Sequence, residues 1–515
     1  VASWAILQFA LSPLNVRRRS ALSSSAQAGL SKSLILKGLQ CHKALWLAKH
    51  PPAFDLPAKP DLQARFELGT AVGLLAQQLF PGGTEVPYAG LAVSEQVART
   101  RELIEAGAPV IYEASFAFDG IFVKVDILVR DGRRWQIHEV KMGTAVKQVN
   151  LDDVAIQHYV LTGCGLEVSR SWLVHIDNLY VRAGVIEVER LFAAAEVTGE
   201  ALARQAALPA LIAGMRRTLG GTGEPEIDIG PWCTDPYECD FIPYCWRHIP
   251  EDSIFDLRGR GVDKFALYNQ GIVRLEEVPP DALSAAQRFQ LEATLGKRDV
   301  IDAPAIDAFL GSLWYPLCHL DFETFDTPIP PFDGTRPYQK IPFQYSLHME
   351  RTPGTVPEHF AYLAPPNIDP RRELAERLLA EIPEGACVLT YNQAFEKSVL
   401  RDLAATFPDL ADGLQKRIGH IRDLMVPFKK RHLYRWPMRG SYSIKEVLPA
   451  LVPELSYQGL RVADGGMAML AYHEMCAAQD PERTAEIRRD LLAYCALDTW
   501  AMVRILGELR KVGKA

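Results

Sequence analysis

The stretch "IFVKVDILVRDGRRWQIHEVKMG", residues 121–143, decides how the first half of the chain is read. Ile121, Val123, Val125, Ile127 and Val129 place an apolar residue at every second position. That is the period of a half-buried strand, so Asp126 falls on the opposite face. Asp131-Gly132 predicts a hairpin turn. In the returning strand Glu139 and Lys141 share a face, because residues two apart in a strand point the same way. An exposed charged hairpin satisfies the same pattern, so its meaning depends on what surrounds it.

The chain has 515 residues, which predicts two to four domains of about 100–200 residues each. Hydrophobic residues make up 48% and charged residues 23%, the balance of a globular protein. No apolar run reaches the roughly 18–20 residues of a membrane span. The net charge of -7 gives no bulk attraction to nucleic acid, so any such binding must use local basic surface. Nine cysteines, an odd count in a long chain, are unlike a disulfide framework and predict a reducing, cytoplasmic setting. Residues 1–29 contain no acidic residue, begin without methionine and place their arginines after the apolar run. That composition resembles an organelle transit peptide, or belongs to an over-extended start. Residues 1–29 are therefore set apart as a disordered or mis-assigned extension.

The rest reads as an α/β chain in three parts. Residues 30–250 form a first domain, with helical text, strands near 109–117, 121–130 and 135–142, and helices from about 151. Residues 251–312 predict a small helical connector, punctuated by Gly271 and Pro279-Pro280. Residues 313–515 form a second alternating region that opens with the strand "YPLCHLDFETF" at 315–325.

The first domain closes on "CTDPYECDFIPYCW", residues 233–246, where Cys233, Cys239 and Cys245 are separated by five residues each. Asp126, a turn, Glu139-x-Lys141, and then Gln157 in "DVAIQHYVL" resemble the metal-dependent nucleases of the PD-(D/E)XK type. With the cysteines, the resemblance is to RecB-like nucleases of the iron-sulfur branch found in AddB-type helicase-nucleases and CRISPR adaptation exonucleases. It implies Mg2+ or Mn2+ on Asp126 and Glu139, Lys141 activating water, and a 4Fe-4S cluster on Cys41, Cys233, Cys239 and Cys245. Structural zinc is the competing ligand, although a five-residue gap exceeds the usual two to four. Unligated core thiols are the third reading. Cys164, Cys318, Cys387, Cys476 and Cys495 are expected as buried hydrophobes. Two departures stand out: Gly73 occupies the place of the family histidine, with Glu67 as a substitute, and Gln157 is followed by Leu161, with Tyr159 two positions on.

In the second region Asp321 and Glu323 share one face of an otherwise apolar strand, which calls for a cation to offset their repulsion. After the strand "CVLTY", Asn392 opens a helix on which Glu396 aligns with Val399, Leu400 and Leu403. Leu491, Tyr494, Asp498, Met502 and Ile505 form another helical stripe. Asp-x-Glu, Asn-x3-acid and Tyr-x3-Asp resemble the DnaQ-like, RNase H-fold exonucleases of the DEDDy type. That resemblance implies two metals on Asp321, Glu323, Glu396 and Asp498, with Tyr494 positioning water. Glu396 stands where the family usually has aspartate, and Asp423 is the reserve carboxylate.

Residues 428–449, "FKKRHLYRWPMRGSYSIKEVLP", interleave cations with Phe428, Tyr434, Trp436 and Tyr442. Such text suits single-stranded nucleic acid, with Lys445, Arg435 and Trp436 as contacts; a solvated loop is the plainer reading. Together the two halves resemble a bacterial family of predicted two-domain nucleases, whose C-terminal part was first described as a domain of unknown function. The resemblance implies a nuclease with two sites, acting on DNA in preference to RNA at single-stranded ends, with 3'-5' polarity in the C-terminal domain and no membrane partner. The alternative is a nucleic-acid-binding or assembly module with one or both sites inactive.

Overall fold

The protein, a computed structural model, is described at residues 29–54, 56, 60–457 and 459–513. The reading of residues 1–28 therefore lies outside the described residues. The chain is mixed α/β and divides into two compact units, the first reaching His248 and including Thr327–Gln339, the second comprising Ile249–Asp326 and Lys340–Ala515. No helix among the described residues is long and apolar enough to cross a membrane.

The sheet of the first unit is built from β1 (Leu30–Ser31), β2 (Thr84–Glu85), β3 (Val110–Phe118), β4 (Ile121–Asp131), β5 (Arg134–Lys141), β6 (Val168–Ile176) and β7 (Phe192–Glu196). Its order is β2-β3-β4-β5-β6-β7, with β1 also pairing β4. β3, β4 and β5 run antiparallel, and β6 lies parallel to β5. The turn of the β4-β5 hairpin falls one residue later than the sequence predicts. Asp131 stays in the strand and pairs with Arg134, while Gly132 takes the positive φ of 65° that glycine adopts without strain.

The alternation in β4 holds for Ile121, Val123 and Val125 and then breaks: Leu128 joins their core, while Ile127 is buried in a separate cluster against which the half-buried Val129 packs. Ile121, Val123 and Val125 pack with Leu151, Val154, Ile156 and Val160 of the helix Gln148–Gly163. The helix Lys32–Gln40 starts where the Ser31 hydroxyl caps the Leu34 N–H at 3.3 Å. It joins the same core through Ile35. Thr327–Gln339 is bound to this unit through Arg182, whose guanidinium donates to the carbonyls of Pro330 and Pro331 at 3.1 and 2.6 Å. The Tyr338 hydroxyl donates to the carbonyl of Met142.

The second unit holds a two-strand ribbon, β8 (Val300–Ile301) with β14 (Leu433–Tyr434), and a five-stranded sheet. The sheet comprises β9 (Leu317–Phe325), β10 (Ile341–Glu350), β11 (Glu358–Leu363), β12 (Cys387–Thr390) and β13 (Ile421–Asp423), in the order β11-β10-β9-β12-β13. The first three are antiparallel, and β12 and β13 run parallel to β9. Every residue of β10 is buried. The 33-residue helix Pro481–Gly513 packs on β9 and β10, and the Gln344 amide donates to its Leu491 carbonyl at 2.8 Å. Residues 251–312 fall within this unit and contain the helices Lys264–Asn269, Ala285–Leu295 and Ala303–Leu310. Ile254, Leu257, Leu267, Leu275 and Leu291 form a small apolar cluster there.

Leu320, 0% exposed on β9, and Val356, 88% exposed, test where this core lies. Leu320→Ala should cost about 2–5 kcal/mol in urea denaturation, against about 0.5 or less for Val356→Ala. Equal midpoints would contradict the central placement of β9.

Candidate functional site

The β4-β5 hairpin brings the first carboxylate set together. The Asp126 carboxylate accepts from the Val140 N–H at 2.7 Å. Glu139, 2% exposed, accepts from Lys141 Nζ at 2.5 Å and Lys32 Nζ at 2.9 Å on Oε1, and from Gln157 Nε2 at 2.7 Å on Oε2. Asp153, one helical turn before Gln157, accepts from Lys141 at 2.6 Å and pairs with Lys32 at 2.9 Å. Burial, with Asp126 and Asp153 nearby, pushes the Glu139 carboxyl up to about 7. Burial acts on Asp153 in the same direction, but Lys32 and Lys141 outweigh it and hold Asp153 well below the usual carboxylate range.

Lys32 and Asp153 were not singled out in the sequence. Asp153 had a signal, since i and i+4 on a helix share a face with Gln157; Lys32 had none. Three carboxylates (Asp126, Glu139, Asp153) thus meet two ammonium groups (Lys32, Lys141), and both oxygens of Glu139 are already engaged. A cation here would share Glu139 with Lys32, which holds Oε1. Asp126, Glu139, Lys141 and Gly73 line a cleft of about 640 Å3. A Cβ at Gly73 would meet nothing within 4 Å, so no steric reason requires glycine there. Glu67 bonds Gln63 at 2.8 Å and does not line this cleft. Tyr159 packs against Phe118 with ring centroids 5.8 Å apart, and Leu161 is buried in the core.

Cys41, Cys233, Cys239 and Cys245 line one small cavity with Ala44, Ile229 and Phe241. Cys41 occupies the break between the helices Lys32–Gln40 and His42–Lys49. Of the other three, Cys233 ends the 3-10 turn Pro231–Cys233 and Cys245 ends the short helix Ile242–Cys245, and the Cys239 N–H between them donates to the Cys233 carbonyl at 2.9 Å. Burial, despite Lys43, pushes the Cys245 thiol up to about 11. Of the remaining cysteines, Cys318, Cys387, Cys476 and Cys495 are buried, but Cys164 is exposed. It follows the end of the helix Gln148–Gly163, where the chain turns at the surface.

The second set is gathered from three elements. β9 carries Asp321 and Glu323, opposite Ser346 and Gln344 of β10. Glu396, 1% exposed, stands in the first turn of the helix Gln393–Thr406, and its Oε2 has no hydrogen-bond partner. Asp498 projects from the helix Pro481–Gly513 and accepts from the Tyr457 hydroxyl at 2.6 Å. Tyr494 also bonds it. Ligand atoms of Asp321, Glu323 and Cys495 lie within 4.8 Å of one another.

Burial raises all four carboxyls: Glu323 and Glu396 to about 8, Asp498 to about 6, and Asp321 well above its ordinary value, with Asp498 and Glu323 repelling it further. Lys445 pulls against this at Glu323 and Asp498. The electrostatic demand is therefore for positive charge, and the partnerless Glu396 oxygen fits a cation. Tyr457, Cys495 and Asp464, which acts on Glu323, were not read from the sequence. Cys495 had a signal, three residues before Asp498 on the same helix.

Asp423 accepts from the Asn392 and Met425 N–H groups, each at 3.0 Å, and so fixes the turn into the Glu396 helix. Arg435 pairs with Asp299 at 2.7 Å, and Lys297 lies 5.5 Å from the Trp436 ring centroid. Arg435 and Trp436 line a cleft with Asp299, Ala450 and Glu508 that contains none of the four carboxylates.

A family model described as Domain of unknown function (DUF2779) matches residues 318–443, a span that contains Asp321, Glu323 and Glu396 and ends before Tyr494 and Asp498. Comparison with curated proteins finds no match.

With divalent cations chelated, these carboxyls make stability depend on pH. Glu323 and Glu396 rise from 4.5 to about 8 on folding, so between those values the folded chain holds more protons than the unfolded chain. Their contribution to stability is then greatest at the acid end and is lost as pH rises from 4.5 towards 8. His138, His348 and His473, which burial lowers from 6.5 to about 4, oppose it over the lower part of this window. The test is therefore a difference: the melting temperature of the unaltered chain minus that of Glu396→Gln, both in chelator, should fall as pH rises from 4.5 to 8. A difference that rises over this window would contradict the site.

Proposed function

We propose that the protein is a metal-dependent phosphodiester hydrolase acting on nucleic acid, with its chemistry in the second unit. The observation that carries this reading is the gathering of half-buried Asp321 and Asp498 with buried Glu323 and Glu396, one oxygen of Glu396 having no partner among the described residues. The sheet order, three antiparallel strands followed by two parallel ones, supports an RNase H-like reading with a DEDDy-type residue set.

The four carboxylates would hold Mg2+ or Mn2+, which supplies the charge to ionise a water and to neutralise the departing oxygen. The chain's own groups set the geometry around that centre. Tyr457 and Tyr494 donate to Asp498 and fix its carboxylate. Burial raises the Tyr494 hydroxyl, which keeps its proton and can orient a water. Lys445, next to Glu323 and Asp498 in charge, is suited to a phosphate oxygen.

In the first unit the hairpin bearing Asp126, Glu139 and Lys141, followed by the Gln157 helix, supports the PD-(D/E)XK reading. There Lys32 and Lys141 offset two of the three carboxylates, and a metal held by Asp126 and Glu139 would share Glu139 with Lys32; a site without hydrolysis is the second reading. The four cysteines around one cavity suit a 4Fe-4S cluster that ties Cys41 to the end of the unit, and zinc is the second reading.

Two experiments test this. Purified chain with Mn2+ should shorten end-labelled single-stranded DNA; Asp321→Asn or Asp498→Asn should reduce this to background, and Asp126→Ala should preserve it. Loss of activity on Asp126→Ala alone would move the chemistry to the first unit, and no cleavage of any DNA or RNA would end the hydrolase reading. Anaerobically purified protein should be brown, absorbing near roughly 400 nm, as four thiolates on iron do. Colourless protein with stoichiometric zinc would replace the cluster.

A further inference from the structure

A cleft of about 1200 Å3 in the second unit belongs to neither carboxylate set. It is lined by Arg258 and Lys264 from the stretch before β8, by Lys429, Arg431 and Arg439 from the stretch after β13, and by Tyr391, Asn392 and Tyr442. We propose that this cleft binds single-stranded nucleic acid and directs it towards Glu396. Only that direction rests on the hydrolase reading; the binding is argued from the cleft itself.

Size comes first. Pockets for small ligands occupy about 300–1,000 Å3, so a cleft this large suits a segment of a polymer. Charge comes second. Five cations (Arg258, Lys264, Lys429, Arg431, Arg439) line it against two carboxylates (Asp256, Glu446), in a chain whose net charge is -7. Arg439 also lies 3.6 Å from each of Glu251 and Asp252, an exposed and a half-exposed carboxylate outside the cleft lining whose contact is too weak to hold it from a phosphate. Asp256 is turned towards the Ser253 N–H at 2.8 Å. The Arg258–Glu446 pair is 3.7 Å apart with both side chains about half exposed, a contact too weak to compete with a phosphate.

Aromatic surface comes third. Tyr442 is 42% exposed with Lys429 5.9 Å from its ring centroid, and the Tyr391 and Phe428 rings stack 6.5 Å apart. An ammonium group beside the exposed Tyr442 ring suits unpaired bases, whose faces a duplex hides.

Backbone conformation adds an independent observation. Asn392, Arg431 and Arg439 have φ of 75°, 60° and 44°, in the left-handed region that non-glycine residues seldom occupy. All three line this cleft, and such conformations persist where the fold over-determines them, commonly at ligand sites. Asn392 is also the N-cap residue of the helix whose first turn carries Glu396. A strand that reaches Asn392 has therefore reached the element that carries one of the buried carboxylates.

The test uses the full chain carrying Asp321→Asn, so that bound strand is not consumed. Anisotropy of a fluorescein-labelled oligothymidylate is followed against salt. Arg258→Gln with Arg439→Gln should weaken binding about tenfold and flatten the slope of log affinity on log salt by roughly 0.7 per arginine removed. Tyr442→Ala, which keeps the backbone carbonyl that Tyr391 bonds, should weaken binding about tenfold without changing the slope. Arg99→Glu, on an exposed helix of the first unit, should change neither. Unchanged affinity in both cleft variants, equal competition by duplex DNA, or competition by polyglutamate but not by oligonucleotide would overturn the proposal.

A small nitrophenyl nucleotide diester, assayed on chains that retain Asp321, separates the two claims. Hydrolysis without any cleft effect on affinity removes the cleft and keeps the hydrolase. A cleft effect without hydrolysis does the reverse.

Discussion

Four carboxyl groups, Glu323 and Glu396 buried and Asp321 and Asp498 half-buried, meet in the second unit with no ammonium group at hydrogen-bonding distance among the described residues, and the arrangement around them answers that burden. An isolated buried carboxylate is costly, so each group must be protonated, paired or bound to a cation. Asp321 and Glu323 sit on β9, held between β10 and β12, where the main chain is already satisfied by sheet pairing. Asp498 is fixed by the hydroxyls of Tyr457 and Tyr494, which donate without supplying charge. Glu396 keeps one oxygen unsatisfied. An arrangement that minimised the folding cost of the empty chain would have placed lysines here.

The first unit did take that course. Lys32, from the first helix after β1, and Lys141, from β5, close on Glu139 and Asp153, and Gln157 bridges the same two carboxylates. With Asp126 beside them the network holds three carboxylates and two ammonium groups, and removing either lysine would leave a buried charge unpaired, the costly case. The two units thus meet one electrostatic problem differently: lysines offset most of the negative charge in the first, and among the described residues no lysine pairs with the four carboxylates of the second. The thiol cavity is the other constraint on the first unit. Through it Cys41 and the Cys233–Cys245 segment meet across most of the unit's length.

Much of this was legible because β-strand and helix periods are short and local. The alternation up to Val125 and the stripes carrying Glu396 and Asp498 gave the right faces, since hydrophobic burial decides which way a strand or helix turns, but the break after Asp126 put Ile127 and Leu128 on faces the pattern does not predict. The hairpin turn was misplaced by one residue because the preference for glycine at positive φ, rather than for the Asp-Gly pair, set it. Lys32 could not be found, because its place depends on a long-range pairing of β1 with β4 that no local pattern encodes. Arg435 and Trp436 were chosen by composition, yet Asp299, more than a hundred residues earlier, claims them. The basic cleft was only half visible for the same reason: Arg258 and Lys264 join the 428–446 stretch through the fold alone.

The central claim is that Asp321, Glu323, Glu396 and Asp498 form a cation site. Anomalous scattering from crystals grown with Mn2+ tests it most directly. The account predicts manganese peaks within about 2.0–2.6 Å of these carboxylate oxygens, the range of oxygen ligation to hard divalent ions, including the Glu396 oxygen that otherwise has no partner. Anomalous maps without a peak at these four residues, with the carboxyls instead hydrogen-bonded to one another as protonated pairs, would contradict it.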